Sequence, residues 1–266
     1  MLQTSAAIIP PDLLLRAYRA GIFPMADSRD DPEIYWVEPR LRAILPLDGF
    51  HCSRSLARTL RRGRFTVTCN AAFDSVIDSC AAPRDGAQDS WISLRIRESY
   101  RALHAQGHAH SIETWATGED GRRELVGGLY GVGFARVFCG ESMFSRQSDA
   151  SKVALAWLVA ALRQAGTQLL DCQFSTTHLA SLGAVEIPQA EYLRLLDEAG
   201  RYSVVESPGA PASSSTGASS AAGASSGAGA AAGLPAGFAA LLAGAADAGL
   251  SSSPGNFIAQ SLIQTS

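Results

Sequence analysis

Asp171 and Gln173 stand two positions apart in the run LLDCQF, so on a strand they project from one face, with Leu170 and Cys172 on the other. A carboxylate beside an amide in so apolar a run must find partners, so the two are either a structural hydrogen-bonding pair or a site. Glu141 poses the same choice in FCGESMFS, flanked by Phe138, Met143 and Phe144, where burial and partners would set its pKa. His108 and His110 alternate on an incipient strand and, with Cys139, have the residue types of a Cys-His nucleophile pair or a metal site. No ligand spacing supports a metal, and histidines satisfied in the core or at the surface are the simpler reading. Cys52, Cys69, Cys80, Cys139 and Cys172 are odd in number and never spaced as CxxC, which favours free thiols over a disulfide framework or structural zinc.

Phosphate and base recognition have their own candidates. Arg54, Arg58, Arg61, Arg62 and Arg64 crowd one segment, although the formal net charge of the chain is −3. On a helix the first four follow i, i+4, i+7 and i+8 spacing and share one face, which raises a nucleic-acid patch above a merely solvated face. Trp36 and Trp91 lie in the turn-rich segments YWVEPR and QDSWIS, where an aromatic is either a core plug or a stacking platform for a base. The glycines of GGLYGVG have no strand-to-helix context and no GK[ST] ending, so they do not form a phosphate loop.

These residues need elements to hold them. With 266 residues, nearly half apolar, the chain can bury one sizeable core or two small ones. It has no uninterrupted run of twenty apolar residues, and its first residues lack the basic start and apolar run of a secretory signal. A cytoplasmic location with no membrane partner is therefore expected. Start and stop signals predict helices over 12–20, 53–62 with Ser53 as cap, and 92–106. Strands are predicted over 110–116, 124–131 and 135–142, with Gly131 and Gly133 suggesting a hairpin between the last two. Helix 150–165 has a broad buried face, strand 169–174 follows, and helices near 177–182 and 188–199 end the folded part. From about 207 to 233 the chain is almost only Ala, Gly, Ser and Pro, the composition of a flexible linker. Beyond it, 238–245 could form a short apolar helix, and NFIAQSLIQTS could be a docking peptide or a frayed end. The pattern is α+β, a mixed sheet layered with helices.

Read together, AYRAGIFP, SWI at 90–92, HAHSIETW, LVGGLYG, FCGESMFS, SDASKVAL, LLDCQ and SLGAVEIP resemble the bacterial leucyl/phenylalanyl-tRNA-protein transferases over about 13–196. The resemblance implies a small N-terminal domain, here 1–49, and a GNAT-like aminoacyl-transfer domain over 50–206; composition, and not the family pattern, gives a low-complexity tail over 207–266, mostly disordered. It implies transfer of Leu or Phe, and Met less well, from aminoacyl-tRNA to proteins beginning with Arg or Lys, marking them for degradation. By resemblance Trp36 and Trp91 hold the terminal adenosine, Glu141 fixes substrate near the reaction centre, and Asp171 with Gln173 assists amine attack. An apolar pocket near Leu129, Met143 and Phe144 accepts the donor side chain. The Arg54, Arg58, Arg61 and Arg62 face contacts tRNA, and a monomer is expected. Met25 and Leu129 stand where the family often has Trp and Met, which bears on the shape of the pocket.

The chemistry is light. An aminoacyl ester is already activated, so the protein must position amine and carbonyl and manage one proton, with neither metal nor cofactor expected. The attacking α-amine has a pKa near 8, and Asp171 is the candidate to accept its proton, or to guide it electrostatically, with Gln173 orienting it or the amine. The rival classes are a GNAT acyltransferase using acyl-CoA and a non-catalytic tRNA-binding protein. The connection SRQSDASK offers coenzyme A no glycine-rich seat.

Overall fold

The computed structural model describes residues 8–83, 90–201 and 233–263. The chain begins with α1 (Pro11–Arg19), β1 (Phe23–Met25), β2 (Tyr35–Val37) and β3 (Leu41–Ile44), followed by α2 (Arg54–Arg61), β4 (Thr66–Cys69), α3 (Phe73–Ala81) and α4 (Leu94–Ala105). A meander follows, β5 (Ala109–Thr117), β6 (Arg123–Phe134) and β7 (Val137–Ser145), and then α5 (Ala150–Gln164), β8 (Leu169–Gln173), α6 (Thr177–Ser181), β9 (Val185–Pro188) and α7 (Gln189–Arg201). Two more helices, α8 (Gly233–Asp247) and α9 (Pro254–Ile263), complete the described chain. Among the described residues no helix is long and apolar enough to cross a membrane.

Among the described residues seven strands form one mixed sheet in the order β4-β5-β6-β7-β8-β3-β9, as the α+β expectation required. Every neighbour is antiparallel except β7 and β8, which run parallel. Side-chain alternation along the strands splits the core in two. Tyr130, Val132 and Cys139 face one cluster, with α1, α3, α4 and α7; Leu129, Phe138 and Leu170 face the other, with α2, α5, α8 and α9. The predicted boundary near Phe50 cuts this sheet, because β3 precedes it yet lies between β8 and β9. The pair β1 and β2 forms a separate two-stranded sheet.

Local signals explain most element ends. The Ser53 hydroxyl accepts from the Leu56 amide (3.2 Å) and Ser93 does the same for Ile96 (3.4 Å), so α4 starts two residues later than expected, after its cap. The β6–β7 hairpin turns at Ala135, with φ +47, rather than at the glycines. Gly131 instead lies inside β6, where a Cβ would fall 2.3 Å from the Cys139 carbonyl oxygen. Its missing side chain permits a close approach between strands rather than a turn.

The expectation of a mostly disordered tail is corrected for 233–263. Helix α8 lies on α5, with Phe238 tilted against Trp157 (ring centroids 5.3 Å apart), and α9 packs on α2 and α5. The linker composition obscured this because the apolar residues that dock, Leu234, Phe238, Leu241, Ile258 and Leu262, are few and widely spaced. Small residues let the helices touch: a Cβ on Gly237 would meet the Ala161 carbonyl oxygen at 2.0 Å. Most of the predicted linker lies outside the described residues.

Candidate active site

The site lies where β7 and β8 part company. They pair only through Val137–Cys139 and Leu169–Asp171; beyond that β7 continues beside β6, and β8 beside β3. At the fork β7 carries a bulge: Tyr130 pairs with Ser142 and Gly131 with Gly140, leaving Glu141 as the extra residue. A cavity of about 440 Å³ opens there. Its walls are mainly apolar, including Leu129, Met143, Leu155, Leu158 and Leu170, with Met25, Trp91 and Phe174 also lining it.

Glu141 lines this cavity and is 9 % exposed. Its Oε1 accepts from the Tyr18 hydroxyl (2.7 Å) and from Gln173 Nε2 (2.9 Å), and its Oε2 accepts from the Tyr100 hydroxyl (2.9 Å). Burial pushes its pKa up to about 7, a rise that the three hydrogen bonds restrain and the charge of Asp171 adds to. Burial and the Glu141 charge raise both tyrosine pKa values, so the two phenols remain neutral donors.

Asp171 is 0 % exposed and does not line the cavity. Arg42 grips it with two hydrogen bonds, Nε to Oδ1 (2.9 Å) and Nη2 to Oδ2 (2.6 Å); the Tyr192 hydroxyl (3.0 Å) and the Gln173 amide (2.8 Å) complete its shell. Arg42, itself 1 % exposed, lies between the rings of Phe23 and Tyr192 and donates to the Gly21 carbonyl (3.0 Å). Burial works against its charge, but the bonds to Asp171 and that carboxylate's charge outweigh it and hold the guanidinium pKa above its ordinary value. The shared face expected for Asp171 and Gln173 is broken by backbone conformation. Gln173 adopts φ +64, so its side chain reaches Glu141 while its main-chain N–H bonds Asp171.

The remaining candidates divide. Trp91, Leu129 and Met143 line the cavity with Glu141 and Gln173. Phe144 does not: it follows Met143 on a strand, faces the opposite side of the sheet and sits beside Val76 against Gly128. Trp36, 38 % exposed on β2 opposite Pro24, also lies outside the lining. His110 is buried, shares a hydrogen bond with Asn70 Nδ2 (3.0 Å), and has its pKa lowered to about 4 by burial. Burial raises the Cys139 thiol pKa, and no group of three metal-ligating residues occurs among the described residues. Arg54, Arg58, Arg61 and Arg62 are all exposed and line a separate shallow groove with Cys52, Ala57 and Ile263 of α9. None of the four forms an ion pair among the described residues.

Sequence reasoning missed Arg42, Tyr18, Tyr100 and Tyr192. Tyr18 sits in AYRAGIFP, but nothing in a single sequence distinguishes a tyrosine that donates to a carboxylate 123 positions away from one that fills a core. Arg42, between Leu41 and Ala43 on β3, carried the only available signal: a charge inside an apolar strand.

By its matches to known proteins the chain is that of an enzyme, a transferase. The family model described as leucyl/phenylalanyl-tRNA protein transferase matches residues 44–197, and the model of that family's N-terminal domain matches residues 8–40. The chain is 70 % identical over 263 residues to the leucyl/phenylalanyl-tRNA-protein transferase of Novosphingobium aromaticivorans, covering 97 % of each. It is 57 % identical over 202 residues to the protein of that name from Rhizorhabdus wittichii, covering 76 % of this chain and 79 % of that one. Among solved structures it is similar to FemX at 12 % identity and a TM-score of 0.44, over 69 % of this chain and 70 % of that one. The chain therefore belongs to the leucyl/phenylalanyl-tRNA-protein transferase family.

Proposed function

We propose that the enzyme transfers Leu or Phe, and Met less well, from aminoacyl-tRNA to the N-terminal Arg or Lys of proteins in the cytoplasm, marking them for degradation. The observation that carries this reading is the apolar cavity at the β7–β8 fork with the raised-pKa carboxylate of Glu141 in its wall. The apolar walls suit the donor side chain, and Glu141 suits the proton traffic. The acceptor α-amine attacks the ester carbonyl, a C–N bond forms, and the ester C–O bond to the terminal ribose breaks. The amine's proton passes to Glu141 and the ribose oxygen gains a proton on leaving, so the step needs no further reactant. A group with a pKa near 7 is suited to accept and return that proton.

In this reading Gln173 orients Glu141 through the 2.9 Å bond, and Asp171, enclosed by Arg42, positions Gln173 through its backbone. Asp171 is thus a positioning residue and Glu141 the proton acceptor. Trp91 at the cavity, with Trp36 outside its lining, would hold the terminal adenosine, and the arginine groove would follow the tRNA backbone as a monomer binds its substrate.

Labelled Phe-tRNA and a protein beginning with Arg should yield acid-stable, heat-resistant label in that protein, and acetyl-CoA should yield none. Absence of transfer, or transfer from acetyl-CoA, would overturn the reading. Binding of Phe-tRNA should weaken with salt, and replacing Arg58 and Arg61 by Ala should flatten that dependence by about one to two units of log–log slope.

A further inference from the structure

The wall of the cavity includes a polar side chain for which the chemistry above has no use. His178, the second residue of α6, lines the cavity half-buried. Its Nε2 is buried and has no hydrogen-bond partner among the described residues. A buried ring nitrogen left unpaired costs about 1–3 kcal/mol, so such atoms ordinarily have a partner in the working state. The neighbouring polar groups are otherwise occupied. Glu141 accepts from two tyrosines and Gln173, and Thr176 Oγ1 caps α6 by accepting from the Leu179 amide (3.1 Å). The ring is placed by its helix: α6 is held by that cap and by the Ser181 hydroxyl, which donates to the His178 carbonyl (2.7 Å).

We propose that His178 is a donor-positioning residue whose Nε2 hydrogen-bonds the free ribose hydroxyl next to the aminoacyl ester. The inference rests on the function proposed above. Charge and polarity select the hydroxyl among the groups an aminoacylated adenosine offers. The amino-acid side chain is apolar and fits the Leu and Met walls. The α-amino group is a cation when protonated and is drawn to the Glu141 carboxylate rather than to a neutral ring. The ester carbonyl must remain open to the attacking amine. Burial and the positive charge of Lys152 lower the His178 pKa, so the imidazole is neutral near pH 7 and presents either an N–H or a lone pair. A hydroxyl accepts the first and donates to the second, so either tautomer can make the contact. Fixing that hydroxyl also fixes the adjoining ester oxygen, and with it the angle at which the carbonyl faces the amine.

The test uses a stable donor analogue, 3′-amino-3′-deoxyadenosine carrying phenylalanine in amide linkage, prepared with and without its 2′-hydroxyl. Wild-type enzyme should bind the hydroxyl form about 10-fold more tightly. His178→Ala should bind both forms alike, and His178→Asn, which keeps a hydrogen-bonding group, should retain part of the discrimination. Independently of any variant, the Nε2 nitrogen resonance of His178 in the wild-type protein should shift on adding the hydroxyl form and stay within about a third of that shift with the deoxy form. Equal binding of the two forms by wild type, an unchanged ratio in His178→Ala, or equal nitrogen shifts would each overturn the contact. Failure of wild type to bind either analogue, together with no transfer from Phe-tRNA, would instead count against the functional reading itself.

Discussion

Glu141 and Asp171 are both buried carboxylates at the β7–β8 fork, yet their surroundings differ in kind. Asp171 is enclosed by a guanidinium, a phenol and a main-chain amide, all donors, one of them a permanent charge. Glu141 has two phenols and an amide, all neutral, and a cavity beside it. The first arrangement pairs a carboxylate with a cation; the second leaves Glu141 with a pKa pushed up to about 7. Two carboxylates a strand apart thus divide the work, and the division follows from whether a cation is present rather than from depth of burial.

The contrast is broken most severely by removing the cation. Arg42→Ala removes the cation from a buried ion pair and should destabilise the protein by about 3–5 kcal/mol in denaturant unfolding, well beyond the loss of a tyrosine donor at Glu141. The next largest effect is a pH dependence. Folded, Glu141 keeps its proton to about pH 7, whereas unfolded it releases it near its ordinary value of 4.5. The folded state therefore binds the extra proton in between, and stability should fall as pH rises from about 4.5 through 7, by on the order of 3 kcal/mol from this group. Thermal unfolding of Glu141→Gln across that window should lack this component of the fall. In activity, Glu141→Gln should slow transfer by about 100-fold at saturating donor while leaving Phe-tRNA affinity within about threefold. The smallest effect sharpens the comparison. Tyr100→Phe deletes the donor to Oε2, so the Glu141 pKa rises further, the acid limb of the rate profile moves to higher pH, and stability changes by only about 1 kcal/mol.

Much of this organisation was legible in the chain. The Ser53 cap, the broad apolar face of α5 and the strand character of LLDCQ announced their elements because their signals are local. Glu141 and Gln173 stood out as polar residues in apolar runs, and the cavity contains both. Three things could not be read. The pairing of Arg42 with Asp171 joins β3 to β8 across most of the folded chain. The left-handed turn at Gln173 is a backbone state that a non-glycine residue does not advertise. Phe144 was grouped with Met143 by proximity in sequence, although neighbours on a strand face opposite ways. β9, which runs up to the start of α7, was not foreseen for a related reason: VEIP is short and largely exposed, too brief for any period to show.

The docking of α8 and α9 also bears on how the molecule is made. Synthesis runs from the N-terminus, so α5 and the sheet can assemble before the residues that cover α5 have left the ribosome. During that interval Trp157 and its neighbours lack Phe238 and Leu241, and the nascent protein presents an apolar strip to whatever it meets. The covering helices follow the surface they cover and must find it far back in the chain, a closure of high contact order that is slow compared with the folding of the meander. The emergence of α8 and α9 thus sets the moment at which that strip on α5 is covered.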